Sequence, residues 1–507
     1  MPRNRLLAPV LFVCICAHAS ARTPPVEDDP VLAGYKQFFA GDLDAAQQTF
    51  QKLTAAQPGR LAAEFGALQV LEQRSDNDRK FEPEFERRLD AFVAAAQTRV
   101  DRSDKDDEAL FYLANAHMLR ASYRLDHDKG VWGAARDGAR AKRLSEQYIQ
   151  RHPEHGDAYF TLGTYNYYVE IAPTFVKVLR VFLFLPSGNR ATGLQQLERA
   201  YQQGSLFAPQ AGVTLMEIYG GFESRPADGL RIGERLAAQY PDNPKIQFSL
   251  AELYESPAVE DFERAAATYE RIIVSEDHRL GPERPAKYQA RLGLASARFS
   301  RWRVDESLAV LDDLIAKQPA EPAWLMPNAL LRRANYRALL NRADADDDLK
   351  AVLAQEHWKE WHKAASDRVT WMQRRRASGE ADVYASLIPG NRLMALRQWD
   401  AAATAYEQVR AQHPDDPQVR FRLALVAFRR GDAERALPEF NAVANAATAP
   451  DWLKAQAFLH AARAHDLANR RTEAVKLYQR VADRYENESA AWAAKVGLVT
   501  PYRRPLM

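Results

Sequence analysis

Histidines, carboxylates and cysteines are the side chains that would carry chemistry here, and they are thinly placed. The run HPEHGD brings His152, His155 and Asp157 within six positions, donor types that suit a divalent metal such as zinc. They straddle a helix end and the turn after it, so the pattern reads as a turn whose side chains satisfy nearby groups. His357 and His362 stand five positions apart, as do His460 and His465, which rotates each pair off the shared helix face that an HExxH site uses. No glycine-rich phosphate loop and no GxSxG elbow occurs, which removes two common signatures of phosphoryl and acyl transfer. Asp346-Asp347-Asp348 reads as solvated charge or a helix N-terminus. These residues nominate no catalytic group, no cofactor site and no metal site, and the expectation is a protein that is not an enzyme.

The two cysteines, Cys14 and Cys16, lie in a segment with its own logic. Arg3 and Arg5 precede an apolar run from Leu6 to Cys16, and Ala19-Ser20-Ala21 follows; this is the three-part layout of a secretory signal at residues 1–21. About 11 apolar residues fall well short of the ~20 needed to span a bilayer. Cleavage before Arg22 would leave a chain free of cysteine, and with it of disulfides and thiolate chemistry. It would also leave as many basic residues as the 67 acidic ones. A balanced surface is the opposite of the basic face that duplex nucleic acid requires, so no nucleic-acid partner is expected. The expected location is across the inner membrane, in the periplasm.

The elements that must carry any site are helices. Apolar residues recur at three and four positions, helix formers dominate and strand-like alternation is absent, which predicts an all-α chain. Ala402, Tyr406 and Val409 recur 34 residues later as Ala436, Phe440 and Val443, Gly390 is answered by Ala424, and a third copy follows at Ala474, Tyr478 and Val481. Near the start, Gly34, the turn Gly41-Asp42, Ala46, Phe50 and Pro58 repeat the pattern. Small residues, an aromatic plug and a terminating proline in this order closely resemble the tetratricopeptide repeat family. The resemblance implies a right-handed superhelical solenoid of helical hairpins, about eight to ten in number, with an inner surface suited to binding. Four sections are expected: the signal at 1–21, an irregular repeat region at 22–377, a regular array at 378–500 and a flexible tail at 501–507. Arg374-Arg375-Arg376 reads as a solvated helix end at the boundary.

The motif is a packing code and says little about ligand. Asn391 matches an asparagine of the carboxylate clamp that one peptide-binding subgroup uses, but Leu387 and Gln456 stand where lysines are needed, so carboxylate capture is not expected. The first helices of the regular array should present Tyr384, Asn391, Met394, Gln418, Phe421, Phe428 and Arg429 to the groove. Of these, Tyr384, Asn391, Phe428 and Arg429 are the expected contacts to a protein or peptide partner. One segment departs from the pattern: residues 171–186 read IAPTFVKVLRVFLFLP. Phe175, Lys177, Arg180, Phe182 and Phe184 there form a buried insert, a partner-facing patch, or a helix at a membrane surface with its two cations turned to headgroups. The expected function is a non-enzymatic scaffold or adaptor of the bacterial cell envelope, the alternative being a peripheral membrane protein that docks through 174–185. Oligomeric state has no signature in these residues.

Overall fold

The computed structural model describes residues 29–127, 129–171, 186–223, 225–274, 285–378, 380–486 and 488–506. Within them the chain is all α, a right-handed superhelical solenoid of tetratricopeptide-type hairpins. The first half comprises α1 (Pro30–Phe39), α2 (Leu43–Ala56), α3 (Leu61–Asn77), α4 (Glu82–Arg102), α5 (Asp107–Asp126), α6 (Val131–Arg151), α7 (Ala158–Ile171), α8 (Arg190–Gln203), α9 (Ala208–Gly221), α10 (Pro226–Gln239), α11 (Pro244–Glu255) and α12 (Phe262–Val274). It continues through α13 (Pro285–Ser300), α14 (Val304–Ala316), α15 (Leu325–Leu339), α16 (Ala345–Leu353), α17 (Lys359–Ala377), α18 (Glu380–Ala395), α19 (Trp399–Gln412), α20 (Pro417–Arg430), α21 (Ala433–Asn445), α22 (Asp451–Leu467), α23 (Arg471–Arg484) and α24 (Ala490–Val499). Successive helices pair as neighbours, and the first helix of most hairpins also stacks on the first helix of the next, as α1 on α3, α9 on α11 and α22 on α24.

Local sequence sets the boundaries. Asp42, Asp106, Asn243 and Asp432 cap α2, α5, α11 and α21 by accepting a first-turn backbone N–H, which satisfies donors that have no partner inside the helix. Gly431 ends α20 at φ +106°, a left-handed conformation that glycine takes without a Cβ clash. Between helices, each aromatic plug fills the notch left by small residues. Phe50, Tyr406, Phe440 and Tyr478 are fully buried, and a Cβ on Gly390 would sit 2.3 Å from the Tyr406 ring. The ring cannot retreat, because its hydroxyl donates to Asn391 Oδ1 at 2.7 Å. Gly390→Ala is expected to lower stability by about 1–3 kcal/mol through overpacking, read as a lower urea midpoint; an unchanged midpoint would show that α18 can shift away from α19.

The regular pairing yields eleven hairpins among the described residues, more than the repeat code suggests. The excess lies in α3 to α6, whose 17, 21, 20 and 21 residues stretch the repeat beyond its usual spacing, although Gly66 of α3 still makes room for the Phe50 ring. α17 has no hairpin partner and packs between α16 and α18. At its end Arg375 is buried, not solvated: its guanidinium stacks over Trp371 at 4.5 Å and Tyr384 at 5.0 Å, a use that its weak hydration permits. Asp348 of the acidic run is likewise buried, held by Arg333 and Arg337. Phe175, Lys177, Arg180, Phe182 and Phe184 lie outside the described residues. The chain re-enters at Pro186, whose carbonyl accepts the Tyr165 hydroxyl at 2.8 Å.

The superhelix is wound tightly enough to touch itself. Asn243 Nδ2 donates to the Phe39 carbonyl at 2.9 Å, across 204 residues of sequence. Gly41, at φ +82°, packs so closely on the Asp242 carbonyl that a Cβ would come within 2.8 Å. At the other end Arg429 of α20 pairs with Glu260, in the turn between α11 and α12, through contacts of 2.7 and 2.8 Å.

Candidate functional site

Winding brings the first helices of early and middle hairpins around one open channel of about 1050 Å³. α1 contributes Phe38, α3 Glu72 and Asp76, and α9 Val213 and Glu217. α11 contributes Lys245, Phe248, Glu252 and Glu255, α13 contributes Leu292, and α15 contributes Asn328 and Arg332. On each helix these residues recur at three or four positions, so they share its inner face. The walls alternate apolar and aromatic surface with a dense set of carboxylates.

The carboxylates sit in an unusual dielectric position. Glu217 and Glu252 are exposed to the channel, but protein surrounds the channel, so solvation of their charge is poor. Burial pushes Glu217 up to about 7, with Glu252 and Asp126 adding to the rise and Lys245 opposing it. Burial also pushes Glu72 to about 7, again against Lys245 and with Asp76 and Asp126. Glu255 rises to about 7 by burial, although the Tyr269 hydroxyl donates to it at 2.8 Å and Arg332 faces it. Asp76, Asp126 and Glu252 are shifted upward too, burial being the largest cause in each. Lys245 lies 4.0 Å from Asp76; burial would depress its pKa, but Glu72, Asp76, Glu217 and Asp126 together hold it up. The channel therefore stores negative charge around one lysine.

Removing that cation has a pH signature. At pH 8 the surrounding glutamates are ionised and Lys245→Met leaves their repulsion unopposed; near pH 5 Glu72 and Glu217 are already protonated. The variant is expected to lose about 1 kcal/mol at pH 8, the upper end for a solvent-reachable charge contact, and little at pH 5, read from urea midpoints at both values. An equal loss at both pH values would mean that the aliphatic stem matters and the charge does not.

The structure distributes the sequence-derived residues differently. Tyr384 is buried beneath Arg375. Asn391 is buried and accepts from Tyr406. Phe428 is packed against Phe440 at 6.0 Å and His460 at 5.7 Å, and Tyr502 covers it at 5.9 Å. Arg429 is held by Glu260. All four thus serve the packing and closure of the array, and the channel that is open lies elsewhere. The signal that marks its residues is charge on the inner face of first helices, Glu72 with Asp76 on α3, Glu217 on α9 and Lys245 with Glu252 on α11, which no single repeat displays.

The histidines do not converge. His152 Nε2 meets Asp107 at 2.6 Å, while His155 Nδ1 meets the Tyr148 hydroxyl at 2.7 Å. Asp157, buried, accepts the backbone N–H groups of Ser205, Leu206 and Phe207 at 2.7–3.1 Å and so fixes the turn into α9. Burial alone would raise its pKa, but His155 and these amides hold it below the usual carboxylate range. His362 Nε2 meets the Gln355 carbonyl at 3.0 Å, and Arg470 donates to His465 Nδ1 at 3.0 Å.

Family models for the tetratricopeptide repeat match residues 258–322, 390–451 and 456–487. No curated protein matches the sequence. Among solved structures, the human IFIT1 dimer with m7Gppp-AAAA is 11% identical, over 83% of this chain and 90% of that one, at a TM-score of 0.34. Yeast Tom70 is 14% identical, over 90% and 93%, at a TM-score of 0.32.

Proposed function

We propose that this chain, built of tetratricopeptide repeats, is a non-enzymatic scaffold or adaptor that holds a segment of a partner protein in the channel of its superhelix. The observation that carries the reading is the channel itself. Its volume of about 1050 Å³ lies at the top of the ~300–1,000 Å³ range of ligand sites, and its walls pair carboxylates with Phe38, Phe160, Phe248 and Leu292. A segment that interleaves lysine or arginine with apolar residues matches both features, charge giving register and approach rate, and apolar contact giving affinity. The layout of residues 1–21 supports placing the protein in the periplasm of a bacterial envelope.

The test is crosslinking with mass spectrometry in the cell envelope, comparing wild type with the Glu217→Lys, Glu252→Lys double variant. Both positions are exposed on the channel wall, so the fold should survive. Partner proteins crosslinked through basic segments in wild type and lost in the variant are the expected result. The same partners captured equally by both proteins would overturn the channel as the binding surface.

A further inference from the structure

Beyond α24 the chain from Pro501 to Leu506 forms no helix or strand, and it is held in the manner of a bound peptide. The Thr500 hydroxyl donates to the Phe222 carbonyl. The Tyr502 N–H donates to Asp466 Oδ2 at 2.7 Å, while its ring lies over Phe428 and under the Arg463 guanidinium, 4.8 Å away. Arg504 donates to the Gly431 carbonyl at 2.9 Å, and the Leu506 N–H to the Ala258 carbonyl at 3.0 Å. Most of the tail's own surface stays in solvent: Pro501, Arg503, Arg504 and Leu506 are exposed. An element of the core would not leave so much outside. The tail expected from the sequence to be flexible is thus seated by directional contacts and one aromatic anchor.

Its docking sites belong to two distant parts of the chain. Phe428, Gly431, Arg463 and Asp466 come from the terminal array, whereas Phe222 and Ala258 come from the middle of the superhelix. Next to Ala258 lies Glu260, a non-glycine residue at φ +57° that receives Arg429 through two hydrogen bonds. Such a conformation persists where surrounding contacts over-determine it, and here tail and Arg429 converge on the same turn. That turn follows α11, which carries Lys245, Phe248 and Glu252 of the channel.

We propose that residues 500–506 are an intramolecular ligand, and that the cradle of Phe428, Arg463, Asp466 and Gly431 recognises a segment with an aromatic residue followed two positions later by an arginine. While the tail occupies the cradle it straps the terminal array to the turn between α11 and α12. A partner segment with the same pattern competes for the cradle and releases the strap. This is independent of what the channel binds.

The experiment uses the full-length chain, its Tyr502→Ala, Arg504→Ala variant, and a fluorescent synthetic peptide with the sequence of residues 499–507. An attached ligand competes at millimolar effective concentration, so wild type should bind the peptide about tenfold or more weaker than the variant, and a peptide with alanine at Tyr502 should bind neither. In hydrogen exchange, amides of residues 256–261 should exchange about tenfold or more faster in the variant, with protection restored by the peptide. Equal peptide affinity in the two proteins, binding indifferent to the tyrosine, or unchanged exchange at 256–261 would each overturn the proposal.

Discussion

Asp137→Ala is expected to cost about 3–5 kcal/mol of stability, the loss typical of removing one partner from a buried ion pair. Asp137 is buried between α5 and α6, and its carboxylate accepts from His117 Nδ1 at 2.8 Å and from Arg120 at 2.7 and 3.0 Å, with Arg124 on the same oxygen as the second Arg120 contact. Removing the carboxylate leaves Arg120, largely enclosed, facing Arg124 and a fully buried imidazole. Burial alone would raise the acid's pKa, but the hydrogen bonds of His117 and Arg120 outweigh it and hold the group at about 2. A carboxyl depressed in the folded state contributes stability that is complete above its ordinary value and is lost as pH falls toward 2. The wild-type advantage over Asp137→Ala in urea midpoint should therefore shrink below pH 4. An advantage that persists undiminished at pH 2 would show that volume, not charge, is what Asp137 supplies.

The second large effect concerns binding. Glu217→Lys with Glu252→Lys should weaken capture of a basic segment by about 100-fold or more, because like charges brought together across an interface cost several kcal/mol. The same glutamates impose a pH dependence on the wild type. Glu72, Glu217 and Glu255, each raised to about 7, gain charge between pH 6 and 8, so affinity for a cationic segment should rise across that interval and binding near pH 7 should release protons. Calorimetry in buffers of different ionisation enthalpy would detect the release. Stability runs the other way: a carboxyl whose folded pKa exceeds its unfolded value binds more protons when folded, so these groups lower stability as pH climbs from about 4.5 to 7. Charging the channel thus costs the fold stability, opposite in sign to Asp137.

The hairpins were legible because their packing is local. A small residue, an aromatic and a proline within 34 positions suffice to specify two helices and their contact, as Gly390, Tyr406 and Pro414 do. The channel was not legible for the converse reason. Glu72 and Lys245 become neighbours only after several hairpins have rotated around the superhelix axis, and no pattern within one repeat encodes that rotation. Arg429 was read as a groove residue from its place on α20, yet its partner Glu260 lies 169 residues away. Phe428 is covered by Tyr502, from a short tail that lies outside the repeat pattern.

The contact of Asn243 with the Phe39 carbonyl changes the order in which the molecule can assemble. Arrays with only nearest-neighbour contacts nucleate anywhere and grow like a zipper. Here the first hairpin has a further partner 204 residues downstream, which at synthesis rates of ~5–20 residues per second emerges roughly 10–40 s later. The closing step raises contact order and slows folding. It also means that the amino-terminal hairpin, although made early, completes its surroundings only once α11 has been added.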